Sequence, residues 1–186
     1  MYYTIKTIIL IGDFMKKLII NSIFIFLISV LIHSLYDFLP NIVTLIFVPI
    51  NESIFEHTKM IFTSYVILLI LKRLFMKKHE NNDITSTFIT AVFNIITFLI
   101  IYLPIYYIFG EKIVVTLIIY FITIIISNLL KIYIEKKDHN NKLNNLMIIP
   151  IIVTYIIFFI LAYYPLKLDI FYDHVNNKHG IYKLYK

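Results

Sequence analysis

Two short stretches hold the groups in this sequence best suited to acid–base or metal chemistry. "HSLYDFLP" (33–40) contains His33, Tyr36 and Asp37, and "VPINESIFEHTKM" (48–60) contains Asn51, Glu52, Ser53, Glu56, His57 and Lys59. Cysteine is absent, so no disulfide framework and no thiolate site exist, and any metal must be held by histidine and carboxylate. His33, His57, Asp37 and Glu52 are the candidate ligands for a divalent ion such as zinc. Three of them would leave one position open for water. Glu56, Glu52 and His57 are the groups that could carry a proton, with Glu56 the expected general base. Tyr36, Asn51, Ser53 and Lys59 offer hydrogen bonds and a counter-charge around such a centre, and Asp173 in the C-terminal tail is a further binding candidate.

Spacing brings these groups together. His33 and Asp37 are four residues apart and share a helix face. Ser53-Ile54-Phe55-Glu56 fits a capping box, in which serine and glutamate satisfy each other's free amides. Glu52, Glu56 and Lys59 fall along one helical stripe, which places Lys59 to neutralise either glutamate, and Ser53, His57 and Met60 form the adjoining stripe. A capped helix start with an acidic first turn accounts for Ser53 and Glu56 through the helix dipole alone. It does not account for His57 one turn deeper.

The rest of the chain is oil. Of its 186 residues 60% are hydrophobic and 15% charged, and the mean hydropathy is +0.86, where a soluble domain is nearer a quarter charged. The net charge of +6 sits in short clusters between apolar runs, a membrane topology signal rather than a nucleic-acid footprint. Heavy use of Ile, Asn and Lys fits an AT-rich bacterial genome. Five stretches, 18–39, 53–75, 86–109, 113–134 and 146–165, approach the roughly 20 apolar residues that cross a bilayer. They are too long and too uniformly apolar for barrel strands. The expected fold is therefore all-α, a polytopic bundle of about five transmembrane helices forming a single domain over 1–186 in the cell membrane.

"MKKLII" from Met15 resembles the start of a signal peptide, but no small-x-small cleavage site follows, so an uncleaved first span is expected. Residues 1–14 are then an N-terminal lead, or translation starts at Met15. Eleven of the 17 Lys and Arg residues fall on one side of the predicted spans, which predicts the N-terminus inside and the C-terminus outside. Loops 77–86 and 134–145 are read as cytoplasmic connectors, with His79 and His139 on their surface. Asn94 and Asn128 are read as interhelical hydrogen-bonding groups.

The unusual residues then collect on the outer side. Pro40 stops the first helix. Residues 41–50, ten apolar positions, are too few to cross and should lie in the interface or re-enter the membrane. His33 lies seven residues before Pro40 and His57 six after Asn51. At 1.5 Å per residue both sit roughly 9–10 Å below the same boundary. Consecutive spans usually pack together, so His33 and His57 are predicted neighbours. The tail 166–186 is expected to pack on the outer face, with Asp173, His174 and His179 folding over the mouth, a turn near Gly180, and "DIFY" and "GIYKLY" clinging to the interface.

"HSLYDFLP" followed by "FVPINESIFEHTKM" resembles a family of small bacterial integral membrane proteins of unknown function. That family carries a His-x-x-Tyr-Asp/Glu element, a Pro-Val-Asn-Glu-Ser-x-Trp-Glu-His-x-Lys element and a tail of the type Asp-x-x-x-Gly-x-Tyr-Gly-Ile. His33, Tyr36 and Asp37 match the first. Pro49, Asn51, Glu52, Ser53, Glu56, His57 and Lys59 match the second, with Phe55 in place of tryptophan. Asp173, Gly180 and Ile181 match the third loosely. The resemblance implies which residues matter and implies no reaction.

Two functional classes follow, with a third beside them. One is a metal-dependent membrane enzyme acting on a lipid or envelope molecule. The other is a protein that binds or carries a small solute or cation through the same groups. The third is an accessory subunit whose apolar helices bind a membrane protein partner. Nucleic acid is excluded as a partner.

Overall fold

Inside a bilayer the backbone has no water to bond, so each amide must find its partner within its own segment, and long apolar runs become helices. The computed structural model describes residues 2–76 and 79–181, with side chains described from residue 11 onward. The helices are α1 (Tyr2–His33), α2 (Leu35–Phe38), α3 (Ile42–Phe47), α4 (Ile54–Phe75), α5 (Asp83–Phe109), α6 (Ile113–Glu135), α7 (Asn141–Leu146) and α8 (Ile148–Tyr163). A 3-10 turn (Asp169–Phe171) and a two-residue hairpin, β1 (Tyr172–Asp173) with β2 (Lys178–His179), complete the tail. Five stretches are long and apolar enough to cross a membrane: Ile11–Phe38, Ile54–Phe75, Asp83–Phe109, Ile113–Glu135 and Asn141–Tyr163. The fold is an all-α membrane bundle. Lys77, Lys78, Lys183 and Lys186, which entered the charge asymmetry, and the terminal "YKLYK" lie outside the described residues.

Two boundaries differ from expectation. Residues 2–14 are helical and continuous with the first span, since nothing between them and Lys17 interrupts a helix more strongly than Gly12. The expected loop 134–145 contains part of a helix. Asn140 caps α7 by accepting the Leu143 N–H at 3.0 Å. Asn144, on α7, reaches the start of α5, where its Oδ1 accepts the N–H groups of Ile84 and Thr85, each at 3.0 Å. A polar connector is thus held as a clamp on a neighbouring helix terminus.

The lysine-rich end is closed by ion pairs. Lys17 reaches Glu80 at 2.7 Å and Glu135 at 3.0 Å, Lys131 reaches Glu135 at 3.0 Å, and Arg73 makes two bonds of 2.7 Å to Asp83. Between the two ends, buried hydroxyls and amides join the helices. Ser29 meets Ser64 at 2.8 Å and Tyr120 at 2.6 Å. Asn94 donates to the Tyr65 hydroxyl and Asn128 to Ser22, as expected of interhelical amides.

Segment 41–50 re-enters along α4. Asn41 starts α3 with a reciprocal capping box, accepting from Val43 and Thr44 while Thr44 accepts the Asn41 N–H. The Phe47 carbonyl accepts the Thr63 hydroxyl at 2.6 Å. Thr63 lies ten residues beyond Ser53, so the segment descends roughly 15 Å beside α4. Two charges hold it there. Lys59, fully buried, donates to the Glu56 carboxylate at 2.6 Å and to the Leu45 carbonyl at 3.1 Å, and Glu56 accepts the Ile50 N–H at 3.2 Å. The pair therefore satisfies the Leu45 carbonyl in the last turn of α3 and the Ile50 amide beyond it, groups that so short a helix leaves bare in oil.

Removing one partner leaves the other charge buried. Glu56→Gln or Lys59→Met is expected to cost about 3–5 kcal/mol, whereas replacing both with apolar residues of similar volume recovers much of that loss. Thermal unfolding in detergent micelles checks the order: each single variant melts well below wild type and the double variant between them.

Candidate functional site

The site is assembled where α1 ends and α4 begins. Asn51 bends the chain by accepting the Ser53 N–H at 2.9 Å, and Ser53 caps α4 by accepting the Glu56 N–H at 3.4 Å. The capping box is only half formed, because the Glu56 carboxylate turns to Lys59 and Ile50 instead of returning to Ser53. That leaves Glu52 ahead of the helix, free of the stripe that periodicity assigned to it, with its side chain beside the histidines.

His33 and His57 are neighbours, as their matching depths implied. Their Nε2 atoms lie 3.2 Å apart, and the Glu52 Oε2 lies 3.5 Å from the first and 3.7 Å from the second. One ligand atom from each of His33, Glu52 and His57 falls within 4.8 Å of the others. His57 Nδ1 lies 2.9 Å from the Ser53 carbonyl. A carbonyl only accepts, so Nδ1 carries the proton, and in the neutral ring Nε2 presents its lone pair to the cluster. Tetrahedral zinc with Zn–N and Zn–O near 2.1 Å would set its ligand atoms about 3.4 Å apart. The observed spacings bracket that value.

The tail braces this arrangement. The Asp173 carboxylate is fully buried and accepts four N–H groups: Glu52 N at 3.2 Å, and Val175 N, Asn176 N and the Asn176 side chain, each at 2.9 Å. The Gly180 carbonyl accepts the Asn51 side chain at 3.0 Å. Gly180 has φ +65°, and a Cβ there would stand 2.9 Å from both the Ala162 carbonyl and the Pro165 ring, so only glycine fits. The hairpin's reversal lies at 174–177, with Asn177 at φ 54°, a little before the turn that was expected.

Beside Glu52 and His57 is a hollow of about 20 Å³, lined also by Tyr102, Tyr106, Glu111 and His174. That is room for a water or two, and for nothing larger without movement. His174 sits 3.0 Å from Asp169, its ring between Tyr106 and Tyr172. Tyr102, Tyr106 and Glu111 were not anticipated. Their signal was slight: two tyrosines four apart and a lone carboxylate in the Gly110-Glu111-Lys112 connection. His179 meets the Tyr172 ring edge-on and does not line the hollow.

The remaining candidates lie around the cluster. Asp37 is exposed and outside the triad, and its charge acts on His33. Tyr36 is buried in the core, and Lys59 and Glu56 are committed to each other. The hydrogen bond with His33 holds the Glu52 carboxyl below its ordinary value of 4.5, against the opposing effect of burial. For Asp173 burial alone would raise the carboxyl, but the bonds from Asn176, Glu52 and Val175 together keep it below its ordinary 3.8.

Helices long enough to cross a bilayer, with a His/Glu cluster at one end of the bundle, define a multi-pass membrane protein with a polar centre near its surface. The chain belongs to the family of unknown function DUF6512, whose sequence profile matches residues 7–181. No curated protein and no solved structure matches it.

Because both carboxyls are lowered on folding, their contribution is complete above pH 4.5 and is lost as pH falls through their folded values. Tail attachment, followed by amide exchange at Glu52 and Val175, is expected to hold from neutrality down to about pH 4.5 and loosen below it. Asp173→Asn should expose the tail to protease at neutral pH.

Proposed function

We propose that this protein holds a divalent cation, zinc by the nature of its donors, at His33, Glu52 and His57, and acts as a metal-dependent membrane enzyme on a lipid or envelope substrate. The single observation that carries this reading is the meeting of two imidazole nitrogens and a carboxylate oxygen at 3.2, 3.5 and 3.7 Å. Two nitrogens and one oxygen favour zinc over calcium or magnesium. Three protein ligands leave a fourth position, and the water-sized hollow adjoins two of them. When bound, such an ion lowers the pKa of water and polarises a carbonyl or phosphoryl oxygen.

The chain's own residues supply the rest. Ser53 orients His57, Asp173 fixes the backbone of Glu52, and Asn51 ties the turn to the tail. Glu56 supports the scaffold through Lys59, so the proton-handling role passes to groups on the hollow. His174, aligned by Asp169, and Glu111 have suitable chemistry there. A substrate would reach the site from the leaflet at this end of the bundle, which the lysine distribution assigns to the outside.

A cation carrier is the second reading, and one observation favours it. Buried polar side chains continue from the triad into the bundle: Ser29, Ser64 and Tyr120, then Tyr65 and Asn94, then Asn128 with Ser22. Polar groups aligned through a membrane interior are the usual lining of an ion path.

Metal analysis of purified protein separates these readings from a structural role. About one zinc per chain is expected, lost on chelation and in His33→Ala, His57→Ala and Glu52→Gln but kept in Asp37→Asn. A folded protein without bound metal at saturating zinc rejects the centre. The carrier reading expects zinc flux into liposomes that disappears in Asn94→Leu, and absence of flux in wild type removes it.

A further inference from the structure

At the lysine-rich end, far from the triad, α1 and α4 flank a groove of about 620 Å³. Its walls are apolar, formed by Ile20 and Phe24 on one helix and Leu68, Leu71 and Phe75 on the other. Three nitrogen donors without a partner among the described residues line the same space. Asn21 is 3% exposed, and its side-chain Nδ2 has no hydrogen-bond acceptor. Neither Lys16 nor Lys72 takes part in any ion pair among the described residues, whereas Lys17 beside them is held by Glu80 and Glu135.

Lys72 is half-buried, with Lys17 and Lys131 as its cationic neighbours and Glu135 and Glu80 as its anionic ones. Both of those carboxylates already serve Lys17. A buried amide donor and a half-buried ammonium are costly without an acceptor. A single ligand that brings anionic oxygens to Lys16, Lys72 and Asn21, and hydrocarbon to Phe24 and Leu71, would satisfy every part of the groove. Inorganic phosphate would meet the donors and leave the walls bare, and a neutral lipid would do the reverse. Asp13, the remaining carboxylate on the rim, would accept from a headgroup that carries hydroxyls.

We infer that this groove is a binding site for one anionic phospholipid, its phosphate on Lys16, Lys72 and Asn21 and an acyl chain along α1 and α4. The occupant is distinct from any substrate of the histidine end, and the inference does not depend on that site's activity.

The test reconstitutes the full chain in vesicles of equal phosphatidylglycerol and phosphatidylcholine, extracts it in mild detergent and identifies retained lipid by native mass spectrometry. Wild type is expected to keep one phosphatidylglycerol with a preference of roughly tenfold or more over phosphatidylcholine. Lys16→Gln with Lys72→Gln, both at partly exposed positions, should bring the two lipids to near parity, and Asn21→Leu by itself should lower the preference in part. Equal retention by wild type, or a preference unchanged in the double lysine variant, overturns the site.

Discussion

A lysine buried at the membrane end of a helix has to be answered, and the way Lys59 is answered organises this protein. Its ammonium meets Glu56 and the Leu45 carbonyl, and Glu56 in turn takes the Ile50 amide. In a low-dielectric interior these charge-assisted bonds are strong, and those to Leu45 and Ile50 can be made only with segment 41–50 laid against α4. With that segment fixed, the chain enters α4 through Asn51, Glu52 and Ser53 at one angle. The position of Glu52 follows from that entry.

The histidine pair is set by the same geometry from the other side. α1 stays helical to His33 and then breaks at Ser34, which delivers an imidazole level with the second turn of α4. A contact lower in the bundle keeps the two helices in register, since Ser29 touches Ser64 one turn below His33, and further down Ser22 ties α1 to Asn128 of α6. The centre is therefore braced on three sides: by helix packing below, by the re-entrant segment beside it and by the tail above. The tail's part is electrostatic. Four N–H groups converge on the Asp173 carboxylate, and one of them belongs to Glu52.

The two ends of the bundle handle charge differently. At the lysine-rich end Lys17, Lys131, Glu80 and Glu135 form a network that largely neutralises itself, and Arg73 pairs Asp83. At the histidine end the ionisable groups converge on a small open space instead. A bundle needs the first arrangement to tolerate charge in its interior. The second contributes little to folding beyond what Ser53 and the Glu56–Lys59 pair already provide, and this is why the cluster reads as a site.

Much of this was legible from the residues in order. Runs of twenty apolar positions dictate membrane helices, because a helix satisfies every backbone group within the segment and the runs are too long and uniformly apolar for barrel strands. Nearly equal distances of His33 from Pro40 and of His57 from Asn51 dictated a shared depth, because helical rise is constant. Even the partnership of Lys59 with a nearby glutamate followed from helical spacing. Which glutamate, however, was a tertiary decision. Periodicity placed Glu52 and Glu56 on one stripe as equivalents. The fold gave Glu56 to a buried lysine and an amide from the re-entrant segment, and left Glu52 outside the helix with the histidines. Tyr102, Tyr106, Glu111 and His174 joined the hollow from 45 or more residues further along the chain, a distance that no local pattern encodes. One-dimensional spacing specifies height along a helix and the face it presents. Which faces meet depends on how buried charges and orphan amides across the whole bundle find partners together.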